Sequence, residues 1–465
     1  MYQPSPIPGI DKVLPPTETI LWILSLWALN LFYLLYNLLP LDAEAPTILS
    51  DRAGLLFVAN LPWLYLLAAK NQPIKRLTGD SYENLNMLHR RLGEWMCFLA
   101  AIHLAGMLSA WFTFLRPAGL GLYSFLTIGY IFFGCLAWVC YEVLYLTSLG
   151  SFRERWYEVF LDSHVLLQAG ALGFLFLHHY ASRPYVGVAL LVFLLDRLIW
   201  RLGLKTCTVR ADLQVMDDGE TVSVAADWTL LRREESSWWR KLLGYDMRFG
   251  WKPSEHVFLT VAGISPKHRF QFHPRTIASA APASGQTHAW FNLIIRAKTG
   301  FSRDLLLYAQ NNPSTMIKLD GPYGSLHALQ MLQSSDVAII VAGGSGIAVA
   351  YPLLWDLLRR RNREQRVCLI WIVQESSHIS WIGRERLEEL RELGLHLVIP
   401  GPSREAGRPD ARSILTEVVE NEEKAAGVGV VVSGPDGLNR TVQNTCAAMV
   451  RCGRKVEVAV EKFGW

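Results

Sequence analysis

The chain has 465 residues, of which 51% are hydrophobic and 18% charged, with a formal net charge of +4. That length allows two or three domains, and the apolar balance, with a mean hydropathy of +0.20, excludes a purely soluble protein and places part of the chain in a membrane. Basic residues are dispersed rather than gathered into blocks, which argues against a nucleic-acid partner, and the seven cysteines form neither a C-x-x-C pair nor a zinc spacing, so no disulfide framework is expected.

Residues 1–19 carry Pro4, Pro6, Pro8, Pro15 and Pro16 and no basic stretch leading into an apolar run; they read as a cytoplasmic segment without a signal peptide. Apolar runs of about the 20 residues needed to span a bilayer follow at 20–40, 53–69, 85–115, 119–149, 153–180 and 184–203, which predicts six spans. Lys70, Lys75, Arg76, Arg153, Arg155, Arg201 and Lys205 fall after the second, fourth and sixth of these; the other connections carry only Arg52, Arg116 and Arg183. By the positive-inside rule both termini, and the part after the sixth span, are cytoplasmic.

Two of the runs carry histidines at matched spacing. His89 and His103 lie fourteen residues apart, and so do His164 and His178; in an α-helix that interval returns to nearly the same face, about 21 Å along the axis. An ionisable group in an apolar span marks a functional site by default, and neutral imidazole is a common axial ligand of haem iron. Because the third and fifth spans run in the same direction, the pattern predicts two stacked b-type haems, one held by His89 and His164, the other by His103 and His178. Histidines hydrogen-bonding between helices are the alternative reading, and His179 competes with His178 for the last position.

From about residue 205 the pattern changes to short strands, starting with a hairpin at 208–216 and 221–228 around Asp217-Asp218-Gly219. Paired tryptophans beside basic residues within 232–249 suit either a membrane interface or a solvated loop. Next come His273-Pro274-Arg275-Thr276-Ile277-Ala278-Ser279, then Arg296 with Gly300 and Ser302, then Asp320-Gly321-Pro322-Tyr323-Gly324, which reads as a turn. An apolar strand ends in Gly343-Gly344-Ser345-Gly346-Ile347 ahead of a helical pattern at 351–361, the arrangement in which helix N-terminal amides accept a pyrophosphate. Strands at 367–373, 395–399 and 428–433 alternate with helices at 384–393 and 412–420, a doubly wound α/β pattern.

The segment from His273 to Ser279 resembles the His-Pro-Phe-Thr-Ile-Ala-Ser signature of the flavin domain in the ferric reductase and NADPH oxidase superfamily. The later elements are similar to that family's in the same order, and Glu461, Phe463 and Trp465 match the Glu-x-Phe-x-Trp terminus of fungal-type ferric reductases. The resemblance covers about residues 85–465. It implies a membrane α-helical, six-span haem-binding bundle (20–204), a β-barrel FAD-binding domain (205–325) and a doubly wound α/β NAD(P)H-binding domain (326–465), the latter two of the ferredoxin-NADP reductase type.

The same resemblance implies roles. FAD lies along Pro274, Arg275, Ile277, Ala278 and Ser279, with His273 and Thr276 contacting the flavin; Arg275 replaces the family's Phe. Arg296, Gly300 and Ser302 cradle the FAD pyrophosphate, and Gly321 and Pro322 lead into the nicotinamide domain. Gly343, Gly344, Ser345, Gly346 and Ile347 receive NADPH. Ser433, with Gly434 and Pro435, stands where the family places a cysteine near the nicotinamide, and Phe463 and Trp465 end the chain where a terminal aromatic covers the flavin ring. Gln374 occupies the position of a family arginine for the coenzyme 2′-phosphate, with Arg384 and Arg386 as substitutes, so NADPH is expected over NADH.

The implied activity is transfer of reducing equivalents from cytoplasmic NADPH through FAD and two b haems to ferric or cupric chelates across the plasma membrane. A superoxide-producing NADPH oxidase is the alternative within the family. A membrane transporter or scaffold with an inactive redox domain is the alternative from another class. No Asp-x-Asp-x-Asp-Gly loop is present, which disfavours an oxidase with its own calcium-binding hands.

Overall fold

The computed structural model describes residues 2–6, 14–38, 44–70, 82–198, 205–231, 246–269, 271–360 and 365–461. The chain divides into two compact units, one of helices (Glu18–Leu77 and Tyr82–Ile199) and one combining Met1–Thr17 and Thr78–Ser81 with Trp200–Trp465.

The helical unit comprises α1 (Thr17–Leu35), α2 (Ala45–Ala68), α3 (Tyr82–Ala110), α4 (Leu122–Leu126), α5 (Gly129–Ser148), α6 (Gly150–Arg155), α7 (Tyr157–His178) and α8 (Arg183–Leu194). Its polarity is inverted relative to a water-soluble bundle. Leu21, Trp22 and Leu166 face outward at 65%, 65% and 73% exposure, whereas Asn30, Ser50 and Asn60 are buried. Inside, the Asn60 amide donates to Asn30 Oδ1 and to the Leu56 carbonyl, so these polar groups are satisfied without water, as a lipid environment requires.

Each of the six apolar runs contains a helix, and among the described residues four helices are long and apolar enough to cross a membrane: Thr17–Leu35, Leu85–Leu115, Gly129–Ser148 and Val159–His178. Asp51, Arg52 and Pro62 interrupt the apolar character of α2. The described part of the last helix has 12 residues, followed by a wider turn through Asp196 and Arg197. The stretch at 119–149, expected as one span, is instead the short α4, a turn and α5. Gly119, at φ +92, and the extended Gly121 punctuate the chain there. The closest helix pairs are α2 with α3 and α5 with α7.

In the second unit, β1 (Thr206–Val215), β2 (Thr221–Thr229), β3 (His256–Thr260), β4 (His273–Thr276), β5 (His288–Arg296) and β6 (Ser314–Tyr323) form an antiparallel sheet of order β4-β3-β6-β1-β2-β5, with α9 (Phe301–Ala309) following β5. The outer strands meet. The Ala278 amide, just past β4, donates to the Asn292 carbonyl of β5 at 2.8 Å, and the Asn292 amide donates to Ser279 Oγ at 3.2 Å, closing the sheet into a barrel. Val222, Val224, Leu259, Phe291, Leu293, Ile317 and Leu319 fill its interior with essentially no exposure. Full burial of such a side chain contributes about 1.5–3 kcal/mol.

The expected turn at Asp320-Gly321-Pro322-Tyr323 is the end of strand β6. Gly-Pro ordinarily breaks a ladder; here the pairing with β3 shifts register between His256 and Phe258, and this bulge accommodates the two residues. A Cβ on Gly321 would come within 2.9 Å of Val257, so the glycine serves close strand packing.

The remainder is α10 (His327–Gln333), β7 (Val337–Gly343), α11 (Ile347–Arg360), β8 (Arg366–Ile372), α12 (Arg384–Glu392), β9 (Leu395–Val398), α13 (Ala411–Glu420), β10 (Val428–Ser433), α14 (Asp436–Arg451) and β11 (Val456–Val460). Its strands pair in parallel in the order β11-β10-β7-β8-β9. Every residue of β7 and β10 is buried, as expected when helices cover both faces of a parallel sheet. The strand order reverses between β7 and β10, and at such a switch point the carboxyl ends of the strands open a ligand crevice.

The N-terminal segment is fastened to this same unit. The Gln3 amide donates to Asn444 Oδ1 at 3.0 Å, Asn444 Nδ2 donates to the Gln3 carbonyl at 3.1 Å, and Gln3 Nε2 donates to the Leu14 carbonyl at 3.0 Å. Gln3 is 3% exposed.

Candidate functional site

The four histidines lie on two helices, His89 and His103 on α3, His164 and His178 on α7. The rings of His103 and His178 face each other with centroids 6.1 Å apart. Each histidine is held through the same atom. His89 Nδ1 donates to the Leu64 carbonyl at 2.9 Å, His103 Nδ1 to the Ser50 carbonyl at 2.8 Å and His178 Nδ1 to the Tyr130 carbonyl at 2.7 Å, while His164 Nδ1 lies 3.4 Å from Ser148 Oγ. A carbonyl only accepts, so the first three carry their proton on Nδ1 and leave the Nε2 lone pair free.

Two glycines permit this approach, and the sequence reading did not single them out. A Cβ on Gly54 would lie 2.8 Å from His103 Nδ1, and one on Gly134 would lie 2.5 Å from His178 Nδ1. In both cases the accepting carbonyl, from Ser50 or Tyr130, belongs to the residue four before the glycine on the neighbouring helix. An isolated glycine inside an apolar helical run was the available signal. His179 is placed differently, outside α7 in an extended conformation, with its Nδ1 accepting from the Ala181 amide at 3.3 Å.

In the barrel, His273, Pro274, Arg275 and Thr276 form β4, and Ile277, Ala278 and Ser279 are the buried run that closes it. The His273 ring stacks on Phe301, with centroids 3.8 Å apart and 14° between planes, and the Arg275 guanidinium lies 6.0 Å over the same Phe301 ring. Burial, reinforced by the nearby charges of Arg275 and His268, pushes the His273 imidazole down to about 3, so it is neutral at physiological pH.

Gly300 takes φ +56 as the N-cap of α9, a conformation that favours glycine. Ser302 Oγ accepts from the Lys298 amide at 3.0 Å and donates to the Thr299 carbonyl at 3.1 Å, so its hydroxyl is spent on shaping the turn. Arg296 Nη1 donates to Gln374 Oε1 at 3.0 Å, and its Nη2 pairs with Glu220 at 3.2 Å. The barrel residue expected near the FAD pyrophosphate thus meets the residue expected to read the coenzyme.

At the switch point the glycine string and the Ser433-Gly434-Pro435 turn interlock. A Cβ on Gly346 would collide with the Ser433 carbonyl, and one on Gly343 would lie 2.7 Å from Leu438 and 2.9 Å from Pro435. Trp371 Nε1 donates to the Gly344 carbonyl at 3.1 Å, and Ser433 Oγ donates to the Glu461 carbonyl at 2.6 Å. Gly344, Ser345 and Gly346 form one tight turn leading into Ile347 at the start of α11. Arg386 lies over the Tyr351 ring at 5.9 Å. Arg404, which the sequence reading passed over, pairs with Glu375 and donates its amide to the Gln374 carbonyl at 3.2 Å. Phe463 and Trp465 lie outside the described residues, as do Lys75, Arg76, Arg201 and the tryptophan pair of 232–245.

An apolar helical unit, an antiparallel barrel closed by a His-Pro strand and a parallel sheet with a glycine turn at its switch point together define a membrane-associated flavin and nicotinamide-binding architecture. Three family profiles match in the same order: "Ferric reductase like transmembrane component" over residues 53–176, "FAD-binding domain" over 243–327 and "Ferric reductase NAD binding domain" over 335–399. The chain belongs to the ferric reductase superfamily.

Among its relatives, "Ferric/cupric reductase transmembrane component 7" of Saccharomyces cerevisiae is 27% identical over 382 residues, 78% of this chain and 56% of the relative. "Probable cell surface ferric reductase kap2" of Aspergillus oryzae is 28% identical over 422 residues, 84% of this chain and 53% of the relative. The chain thus spans about half the length of these relatives. A ferredoxin NADP+ reductase from Neisseria gonorrhoeae with bound FAD and NADP aligns at 14% identity and TM-score 0.38, covering 55% of this chain and 98% of that one.

Proposed function

We propose that this chain is an NADPH-dependent transmembrane oxidoreductase that reduces ferric or cupric chelates on the membrane face opposite its soluble unit. The observation that carries the reading is the histidine quartet, in which three imidazoles are locked by Nδ1 onto backbone carbonyls with Nε2 free. Outer partners of this kind orient and strengthen an imidazole as a metal ligand. The 6.1 Å between the His103 and His178 rings also matches the roughly 6 Å expected when two imidazole nitrogens each lie about 2 Å from one metal.

The His103–His178 pair fits one b haem, the equal spacing of His89 and His164 on the same two helices assigns a second, and His178 is preferred over His179 because only His178 keeps Nε2 free on the helix. Bound FAD and haem would supply the conversion of a two-electron hydride into single electrons. The chain's own part is to bind and orient. His273 through Ser279 line the flavin, Arg296 and the Gly300 turn meet its pyrophosphate, and the Gly343–Ile347 turn with Gly434 and Pro435 receives the coenzyme at the switch point. Ser433 holds the end of the last strand through the Glu461 carbonyl. The choice of NADPH over NADH is assigned to Arg296 and Arg404, which meet Gln374, together with Arg384 and Arg386.

The topology rests on the charge pattern of the connections. Six crossings, one per apolar run, place the segments before and after the helices on one face, and Lys70, Arg153, Arg155 and Lys205 follow the second, fourth and sixth runs. The positive-inside rule assigns that face to the cytoplasm, and the membrane proposed is the plasma membrane. The test is NADPH-driven formation of ferrous chelate in proteoliposomes holding the purified protein, with reduced-minus-oxidised spectra and flavin content measured on the same sample. Chelate reduction under argon, insensitive to superoxide dismutase, is expected. Reduction that needs dioxygen or is abolished by the dismutase would make the protein a superoxide-producing oxidase.

A further inference from the structure

His268 lies in the short helical turn Pro266–Arg269 ahead of β4 and is fully buried. Its Nε2 is 2.9 Å from Asp304 Oδ2 on α9, an oxygen that also takes Lys267 Nζ at 2.7 Å; its Nδ1 bonds Gln271 Oε1. The same Gln271 oxygen lies 3.4 Å from His273 Nε2. An amide oxygen only accepts, so the His273 Nε2 directed at Gln271 Oε1 carries a proton. The Asp304 carboxyl is held below the usual range chiefly by Lys267. His273, which is neutral, has its single proton on Nε2.

We propose that His268 and Gln271 are positioning residues, fixing the His273 tautomer so that its Nδ1 is a hydrogen-bond acceptor for a donor group of the flavin and tying α9 to the strand that carries it. This rests on the FAD reading above. Phe301, the first residue of α9, closes the other side of the arrangement, stacking on His273 and meeting His268 edge-on at 5.5 Å. An acceptor at Nδ1 selects a ribityl hydroxyl or the imide N–H of the flavin, and disfavours its carbonyl oxygens and its phosphates. The network also fixes the first turn of α9, next to the Gly300 turn proposed to meet the pyrophosphate.

The test uses the full chain in detergent, measuring FAD dissociation by flavin fluorescence and visible circular dichroism of the bound flavin, with haem content as the control for folding. Gln271→Leu and His268→Ala are expected to weaken FAD binding about tenfold, the scale of one lost buried hydrogen bond, and to change the flavin dichroism. Gln271→Glu, which keeps an acceptor in place, is expected to bind nearly as the wild type does. Unchanged affinity and dichroism in Gln271→Leu, or equal weakening in Gln271→Leu and Gln271→Glu, overturns the proposal. An unchanged His268→Ala removes His268 from it, and if that variant does not fold the Gln271 pair decides. A wild-type chain that binds no FAD overturns the cofactor reading itself.

Discussion

The two units prepare their sites by opposite means. In the helices, imidazole side chains are the proposed ligands and backbone carbonyls only orient them. In the soluble unit the backbone itself is brought forward, through glycine turns at Gly300 and Gly343 to Gly346, while Ser302 and Ser433 are spent on holding those turns. The helical site should therefore fail when a side chain is removed, and the soluble one when a methyl group is added.

The largest expected effect is in the helices. His103→Ala or His178→Ala should abolish one of the two haem signals in a reduced-minus-oxidised spectrum while FAD content stays constant; retention of both haems in either variant breaks the pairing. Gly134→Ala sharpens the comparison, because it alters no ligand yet places a Cβ 2.5 Å from His178 Nδ1. Disturbing an outer partner of a metal ligand costs about 10–100-fold in affinity, so haem loss on dilution should rise by that order. The soluble counterpart is Gly346→Ala, whose methyl meets the Ser433 carbonyl. Overpacking of about 1–3 kcal/mol should appear as weakened coenzyme binding with haem spectra unchanged.

A smaller effect is set by pH. His273 is held down to about 3 in the fold against about 6.5 in an unfolded chain. Between those values the unfolded state binds the extra proton, so the contribution to stability is complete above about pH 6.5 and is lost as pH falls towards 3. His378, lowered by burial and then by Arg296, acts in the same direction. Melting followed by flavin fluorescence should therefore be flat above neutrality and decline in acid, less steeply in His273→Phe. The smallest effect is expected at the seam between barrel and parallel sheet, where Trp381 Nε1 donates to Asp218 Oδ2 at 3.0 Å. Trp381→Phe should lower the melting temperature by the equivalent of about 1 kcal/mol and leave both cofactors bound.

What the sequence made legible was whatever a local period or a short motif encodes. Fourteen-residue histidine spacing, the strand run of β7 and the alternation of strands and helices each fix an element from within one segment. The partners of those elements were not legible, because they come from distant positions. Ser50 and Gly54 serve a histidine on another helix, Arg404 reaches Gln374 from a loop after β9, and Asp304 reaches His268 from α9. The Gly321-Pro322 pair misled for the same reason: in isolation it is turn chemistry, and only the bulge opposite β3 makes it part of a strand.

The clasp between Gln3 and Asn444 has a consequence for the order of assembly. Its partners are 441 positions apart, and at synthesis rates of about 5–20 residues per second the second appears on the order of a minute after the first. During that interval the helical unit is synthesised, while Gln3 lacks its partner Asn444. The clasp can therefore close only after the helical unit, the barrel and most of the parallel sheet have been synthesised, which makes it a late contact in the assembly of its own unit.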